Sequence, residues 1–166
     1  HPIPDEAGLE GTEKILQTAA GCSEKDLCIC AFSGGGSALL TAPSSPLTLA
    51  HKQAATRTLL ECGASIDEVN TVRKHLSRVK GGGLARAAYP ATVVALILSD
   101  VVGDRLEVIA SGPTTPDPTT YYDCMQIVQK YGLSKRLPSE VLHVFEDGVG
   151  NRIAETAKHG DVIFSR

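Results

Sequence analysis

The sequence predicts an α/β fold, a three-layer, Rossmann-like, mostly parallel sheet with helices on both faces. Two apolar runs carry that prediction, Leu27-Cys28-Ile29-Cys30-Ala31-Phe32 and Thr92-Val93-Val94-Ala95-Leu96-Ile97-Leu98. The second has no polar alternation, the pattern of a parallel strand buried on both faces. The third observation is the glycine run Ser33-Gly34-Gly35-Gly36-Ser37, which follows the first strand directly and leads into Ala38-Leu39-Leu40. Strand, tight turn and helix start follow one another there.

The remaining elements follow from caps and spacing. Asp5 caps a helix over residues 6–20 with Leu9, Ile15, Leu16 and Ala19 inward and Gly21 as its stop. Pro43 and Pro46 break the chain before Thr48 opens a helix through Cys62, ended by Gly63. Ser65 to Val79 reads as a helix with the apolar stripe Ile66, Val69, Val72, Leu76 and Val79. Leu84 to Ala88 makes a short helix. Asp117-Pro118 marks the start of a helix to Tyr131, Pro138 to Glu146 forms another before Gly148, and Asp161 to Phe164 reads as the beginning of a last strand. No internal repeat or linker interrupts this alternation, so residues 1–166 form one domain.

Composition limits the function classes. The chain is 42% hydrophobic and only 4% aromatic, which suits a helix-and-strand globule and excludes disorder. A formal net charge of −3 gives no overall field for nucleic acid or an anionic membrane surface. No stretch reaches the roughly 18 apolar residues of a membrane span. The five cysteines, Cys22, Cys28, Cys30, Cys62 and Cys124, have no disulfide-framework spacing. They point to a reducing, cytoplasmic location; Cys28 and Cys30 share a strand face, where core packing is favoured over a metal or redox pair. The chain opens at His1-Pro2-Ile3-Pro4-Asp5 rather than at Met, which reads as a piece excised from a larger protein.

Three small-residue loops are the candidate chemistry. The Ser33–Ser37 run either cradles a phosphate or carboxylate with backbone N–H groups, or is a plain turn whose serines cap the helix. On the helix from Ser65, the residues Asn70, Arg73 and Ser77 fall on one face with Lys74 at its edge. Lys80-Gly81-Gly82-Gly83 follows, so a cationic face ends in a second glycine loop; the alternative is an ordinary solvated surface. His75 lies on another face and is structural or exposed. After the second strand come Ser99, Asp100, Gly103 and Asp104, at the carboxyl end where open α/β sheets collect ligands. Asp100 and Asp104 can hold Mg2+ through water, or serve as turn residues bonded to nearby backbone. Ile109-Ala110-Ser111-Gly112-Pro113-Thr114 is the third loop.

Taken in order, these motifs resemble the amino-terminal domain of the ATP-dependent glycerate 2-kinases that carry a MOFRL domain. The residues that carry the resemblance begin with His1-Pro2-Ile3-Pro4-Asp5, Ser33-Gly34-Gly35-Gly36-Ser37-Ala38-Leu39-Leu40 and Gly63-Ala64-Ser65-Ile66. Asn70-Thr71-Val72-Arg73-Lys74-His75-Leu76-Ser77 and Lys80-Gly81-Gly82-Gly83-Leu84-Ala85 continue it. Leu98-Ser99-Asp100-Val101-Val102-Gly103-Asp104 and Val108-Ile109-Ala110-Ser111-Gly112-Pro113-Thr114 complete it. Each motif is weak alone; their common order is specific. The resemblance implies transfer of the ATP γ-phosphoryl group to the 2-hydroxyl of D-glycerate, with Mg2+ on the nucleotide. It also implies a cleft against a second domain of the same protein, with an upstream Gly-Lys-Ala stretch and a carboxyl-terminal MOFRL domain outside this chain.

Under that reading Ser33, Gly34, Gly35, Gly36 and Ser37, with Asn70, Ser111 and Gly112, hold the acceptor carboxylate or the phosphates. Arg73 grips an anion in bidentate fashion and Lys80 neutralises the transferring group. Asp100 orders Mg2+, with Asp104, or orients the attacking hydroxyl. Other classes fit less well. A hydrolase nucleophile elbow needs Gly-x-Ser-x-Gly, and Leu39 stands at the final glycine. A dinucleotide-binding fingerprint needs Gly-x-Gly-x-x-Gly, which adjacent glycines do not supply. A sugar-phosphate binding or isomerase-like domain, needing no ATP, is the alternative, and a structural half that collects ligands on docking is a third.

Overall fold

A computed structural model describes residues 4–33, 35–99 and 105–165. Gly34, Asp100 and Asp104 lie outside the described residues. The chain opens with helix α1 (Glu6–Ala20), whose first turn is fixed by the Asp5 carboxylate accepting from the Gly8 N–H at 2.8 Å. Strand β1 (Leu27–Phe32) and the single-turn helix α2 (Gly36–Leu39) follow. Helix α3 (Leu49–Glu61) and helix α4 (Ile66–His75) each start with a capping box, Thr48 with His51 and Ser65 with Glu68. Helix α5 (Gly83–Ala88) leads into strand β2 (Thr92–Ile97). A 3-10 turn (Ile109–Ser111) precedes helix α6 (Tyr121–Lys130) and helix α7 (Ser139–Val149).

The α/β expectation holds, with a parallel sheet. Strands β1 and β2 pair in parallel, Leu27 against Thr92 through Phe32 against Ile97. One face of this pair packs on α1 and α5, where Leu16, Ala19, Leu84 and Ala88 are buried with Cys30. A second core joins α3, α4, α6 and α7 through Leu59, Val69, Val72, Cys124, Val141 and Phe145. Each such large side chain contributes about 1.5–3 kcal/mol by leaving water. The segment after α4 links the cores, since Ser77 bridges to Pro43 and Val79 is buried in the sheet-side cluster.

Several expectations need correction. Strand β2 is not buried on both faces, because Leu96 is 58% exposed and Val94 is exposed too, its partner Ile29 on β1 being 61% exposed. An apolar run specifies that both faces want cover, but not which segment supplies it. Ile15, expected inward on α1, is exposed on the same account. Helix α4 stops at His75 rather than Val79, where the chain bends so that Arg78 N–H can donate to the Ala42 carbonyl. Helix α6 starts at Tyr121, capped by Thr120 with Asp123, not at Pro118. Asp161–Phe164 forms a 3-10 turn (Val162–Phe164), not a strand.

Candidate functional site

The candidate site forms where the ends of α2 and α4, the Lys80 loop and the Ile109–Ser111 turn converge. Ser37 lies in the single turn of α2, entered through Gly35 at φ 79°. Ser111 sits on a strained backbone, since Ala110, Ser111 and Gly112 have φ of 51°, 62° and 61° in succession. Left-handed backbone at a non-glycine residue costs of the order of 1–3 kcal/mol and persists only where surroundings enforce it. Here the enforcement is explicit. The Gly81 and Gly82 N–H groups donate to the Ser111 and Gly112 carbonyls at 3.1 and 2.7 Å, and Lys80 Nζ donates to the Ala110 carbonyl at 3.2 Å.

The strain aims a hydroxyl. Ser111 Oγ is fully buried, 2.8 Å from Ser37 Oγ, and donates to Asn70 Oδ1 at 3.3 Å. Lys80 Nζ also donates to the Ser37 carbonyl at 2.8 Å and to Ser37 Oγ at 3.1 Å. Its ammonium therefore has three oxygen acceptors, matching its three protons. Burial, then the charges of Lys52 and Arg73, push the Lys80 ammonium well below its ordinary value. Arg73 is half-buried, and that burial lowers its guanidinium as well.

Lys52 completes the group. It stands in the first turn of α3, is 2% exposed, and its Nζ has no hydrogen-bond partner. Burial and the Arg73 charge push its ammonium down to about 7. Neither Lys52 nor Lys80 has a carboxylate partner among the described residues. Lys52, Arg73 and Lys80 thus act on one another as like charges, with Lys80 seated on Ser37, an arrangement that favours an anion.

Other residues singled out by the sequence do different work. Ser77 leaves the Asn70–Arg73 face, since its hydroxyl donates to the Ala42 carbonyl at 3.3 Å beyond the helix end. Lys74 turns away to Asp117 at 2.5 Å, a buried ion pair. Burial acts to raise the Asp117 carboxyl, but bonds from Lys74 and Thr119 outweigh it and hold it below the ordinary carboxylate range. His75 is structural, with Nδ1 2.8 Å from the Thr71 carbonyl and Nε2 3.1 Å from Glu155. The N–H groups of Gly81 and Gly82 are spent on the Ser111 turn, and a Cβ at Gly82 would stand 2.5 Å from that of Ala157. That loop is a clasp, not a second cradle. Gly112 likewise donates to the Ile109 carbonyl at 2.9 Å.

Among the described residues no group of three or more His, Cys, Asp or Glu side chains is placed to hold a metal ion. Nor is any helix among them long and apolar enough to cross a membrane. The five cysteines are unbridged, and burial pushes the Cys30 thiol up to about 12, which suits a core residue.

A family model described as a domain of unknown function, DUF4147, matches residues 1–146. This chain belongs to the DUF4147 family. The DUF4147 chain is 55% identical over 139 residues to a glycerate kinase of Macaca fascicularis, covering 84% of this chain and 35% of the relative. It is 48% identical over 162 residues to a putative hydroxypyruvate reductase of Agrobacterium vitis, covering 98% and 35%. In three dimensions it matches the crystal structure of a glycerate kinase from Thermotoga maritima with a TM-score of 0.85 at 45% identity, covering 96% of this chain and 36% of that one. The DUF4147 chain therefore spans about a third of the length of these relatives. The resemblance read from the ordered motifs is borne out.

The sequence reading missed Lys52 in this DUF4147 chain. A lysine near a helix start reads as solvated, yet Leu49, Lys52, Thr56 and Leu59 recur at the spacings of one helical face and all are buried. A charge on an apolar stripe was the available signal.

Proposed function

We propose that the full-length protein containing this chain is a glycerate kinase, transferring the γ-phosphoryl group of ATP to the 2-hydroxyl of D-glycerate. The observation that carries this reading is the mutual approach of buried Lys52 and Lys80 and half-buried Arg73, with Lys80 seated on the Ser37–Ser111 contact, beside the kinase names of its relatives. Phosphoryl transfer spreads charge over the equatorial oxygens and asks the protein for positioned cations and donors rather than for a nucleophile. Glycerate and ATP are both anionic, so a wall of this composition suits either.

In this reading Arg73 grips an oxyanion with its planar fork. Lys80 keeps its protons on Ser37 and Ala110, so it fixes the glycine turn and contributes charge at a distance. Ser33, Ser37, Asn70 and Ser111 offer neutral donors and acceptors around the anion. Gly35 and Gly36 let the chain pass close to it. Mg2+ enters with the nucleotide. Among the described residues no group of three or more His, Cys, Asp or Glu side chains is placed for that ion. Residues 1–166 serve as one domain of a two-domain enzyme, with the other wall of the cleft in the remaining length of the protein.

The reductase name of the Agrobacterium relative finds no support in the glycine pattern, which lacks the spacing of a dinucleotide fingerprint. A sugar-phosphate binding domain without ATP chemistry would use the same anion wall. Product identity separates these readings. Full-length protein with ATP, Mg2+ and D-glycerate should give 2-phosphoglycerate, identified by phosphorus NMR. Binding of phosphate esters without any transfer would overturn the kinase reading.

A further inference from the structure

We propose that Lys52 is a substrate-binding residue, the cation that together with Arg73 receives a carboxylate or phosphate group of a reactant. The inference rests on the kinase reading only for the identity of the anion.

The argument begins with cost. Lys52 Nζ is buried and has no acceptor, although an ammonium has three protons to place. A buried, unpaired charge is among the most expensive groups a protein can hold. The location makes it worse, because the first turn of a helix carries the positive end of the helix dipole. Arg73 and Lys80 then bring like charge to bear on the same region.

A lysine kept only for packing would escape these costs. Its stem could stay buried while the head reached water, as lysines commonly do. Lys80 shows the contrast. It is equally buried but stapled to three oxygens, so its structural role is satisfied within the chain. Lys74 is likewise buried and paired with Asp117. Of these three buried lysines Lys52 is the one whose partner is missing, and an anion is the partner its chemistry asks for. Thr41 and Ser44 hydroxyls also lack partners, yet neither carries charge or joins the cationic cluster.

The test uses the full-length protein and two substitutions, Lys52→Met, which keeps length and apolar stem, and Lys52→Arg, which keeps charge. Thermal midpoints are measured alone and with inorganic phosphate, and KM is measured separately for D-glycerate and ATP. Lys52→Met should melt at or above the wild type when alone, because an unpaired charge is gone. It should lose the stabilisation by phosphate, and one KM should rise by about tenfold or more. Lys52→Arg should recover part of that loss. A rise confined to D-glycerate assigns Lys52 to the acceptor carboxylate, and one confined to ATP assigns it to the nucleotide phosphates.

Both KM values within twofold of wild type, with stabilisation by phosphate intact, would overturn the proposal. So would a lowered melting point with unchanged KM, which marks a structural lysine. Should Lys52→Met fail to fold, Lys52→Gln is read by the same criteria, and failure of that variant too counts as the structural outcome. Failure of the kinase reading is separate. If the full-length protein forms no ADP from D-glycerate, loss of phosphate stabilisation in the variant still upholds Lys52 as an anion-binding residue.

Discussion

Ser37 and Ser111 are 74 residues apart in sequence, yet their hydroxyl oxygens lie 2.8 Å apart, with Lys80 Nζ 3.1 Å from the first and Asn70 3.3 Å from the second. This contact ties the single turn of α2 to the Ile109–Ser111 turn beside Lys80. It requires Ser111 at φ 62°, so backbone strain and side-chain placement are a single feature.

That coupling separates two substitutions at Ser111. Ser111→Ala removes the hydroxyl and keeps the strained backbone, leaving Asn70 Oδ1 without its donor; it should cost about 1–3 kcal/mol in urea denaturation. Ser111→Gly removes the same bonds but suits the positive φ, so it should cost less by about 1 kcal/mol. Equal costs would mean that the strain is not real.

Lys80 is a staple by geometry, and its removal should be felt as lost stability. Lys80→Met leaves the Ser37 and Ala110 carbonyls short of a charged donor in a buried setting. A loss of at least about 1.5–3 kcal/mol is expected in the same denaturation measurement. The effect should be opposite in sign to that of Lys52→Met, although both substitutions delete one buried ammonium.

Lys52 also gives a pH signature. Its folded value is about 7 against 10.5 for the free side chain, lowered by burial and then by the Arg73 charge. Between these values the unfolded chain holds a proton that the folded chain has released, so stability rises with pH across that window. Below pH 7 both states are protonated and the cost of the buried charge is fully present. The difference in stability between wild type and Lys52→Met should therefore change by up to about 1.4 kcal/mol per pH unit from pH 7 upward. A flat difference over pH 7–10 would show that Lys52 titrates normally.

Much of the fold could be read from local signals. Asp5, Thr48 and Ser65 mark helix starts because a short polar side chain can satisfy free N–H groups, and all three caps form. Strands β1 and β2 followed from apolar runs bounded by turns. Asp117 misled, since an Asp-Pro pair looks like a cap; its carboxylate instead takes Lys74, Thr119 and Thr156 into the interior. That role depends on residues far away in sequence. Within the site, Ser37, Asn70, Arg73, Lys80 and Ser111 were legible as small-residue loops around a basic face. The Ser37–Ser111 contact and the orphaned Lys52 were not, because both depend on how α2, α3 and the Ile109–Ser111 turn pack together.

The central claim is that this cationic wall serves phosphoryl transfer to glycerate. The most direct test is ADP formation by the full-length protein with Mg2+ and ATP, with and without D-glycerate, for wild type and for Arg73→Ala. The account predicts glycerate-dependent ADP formation that falls by about 10²–10³-fold in the variant while the fold, checked by its melting transition, survives. A folded full-length protein that forms no ADP on addition of D-glycerate, or an Arg73→Ala variant with near-normal turnover, would contradict it.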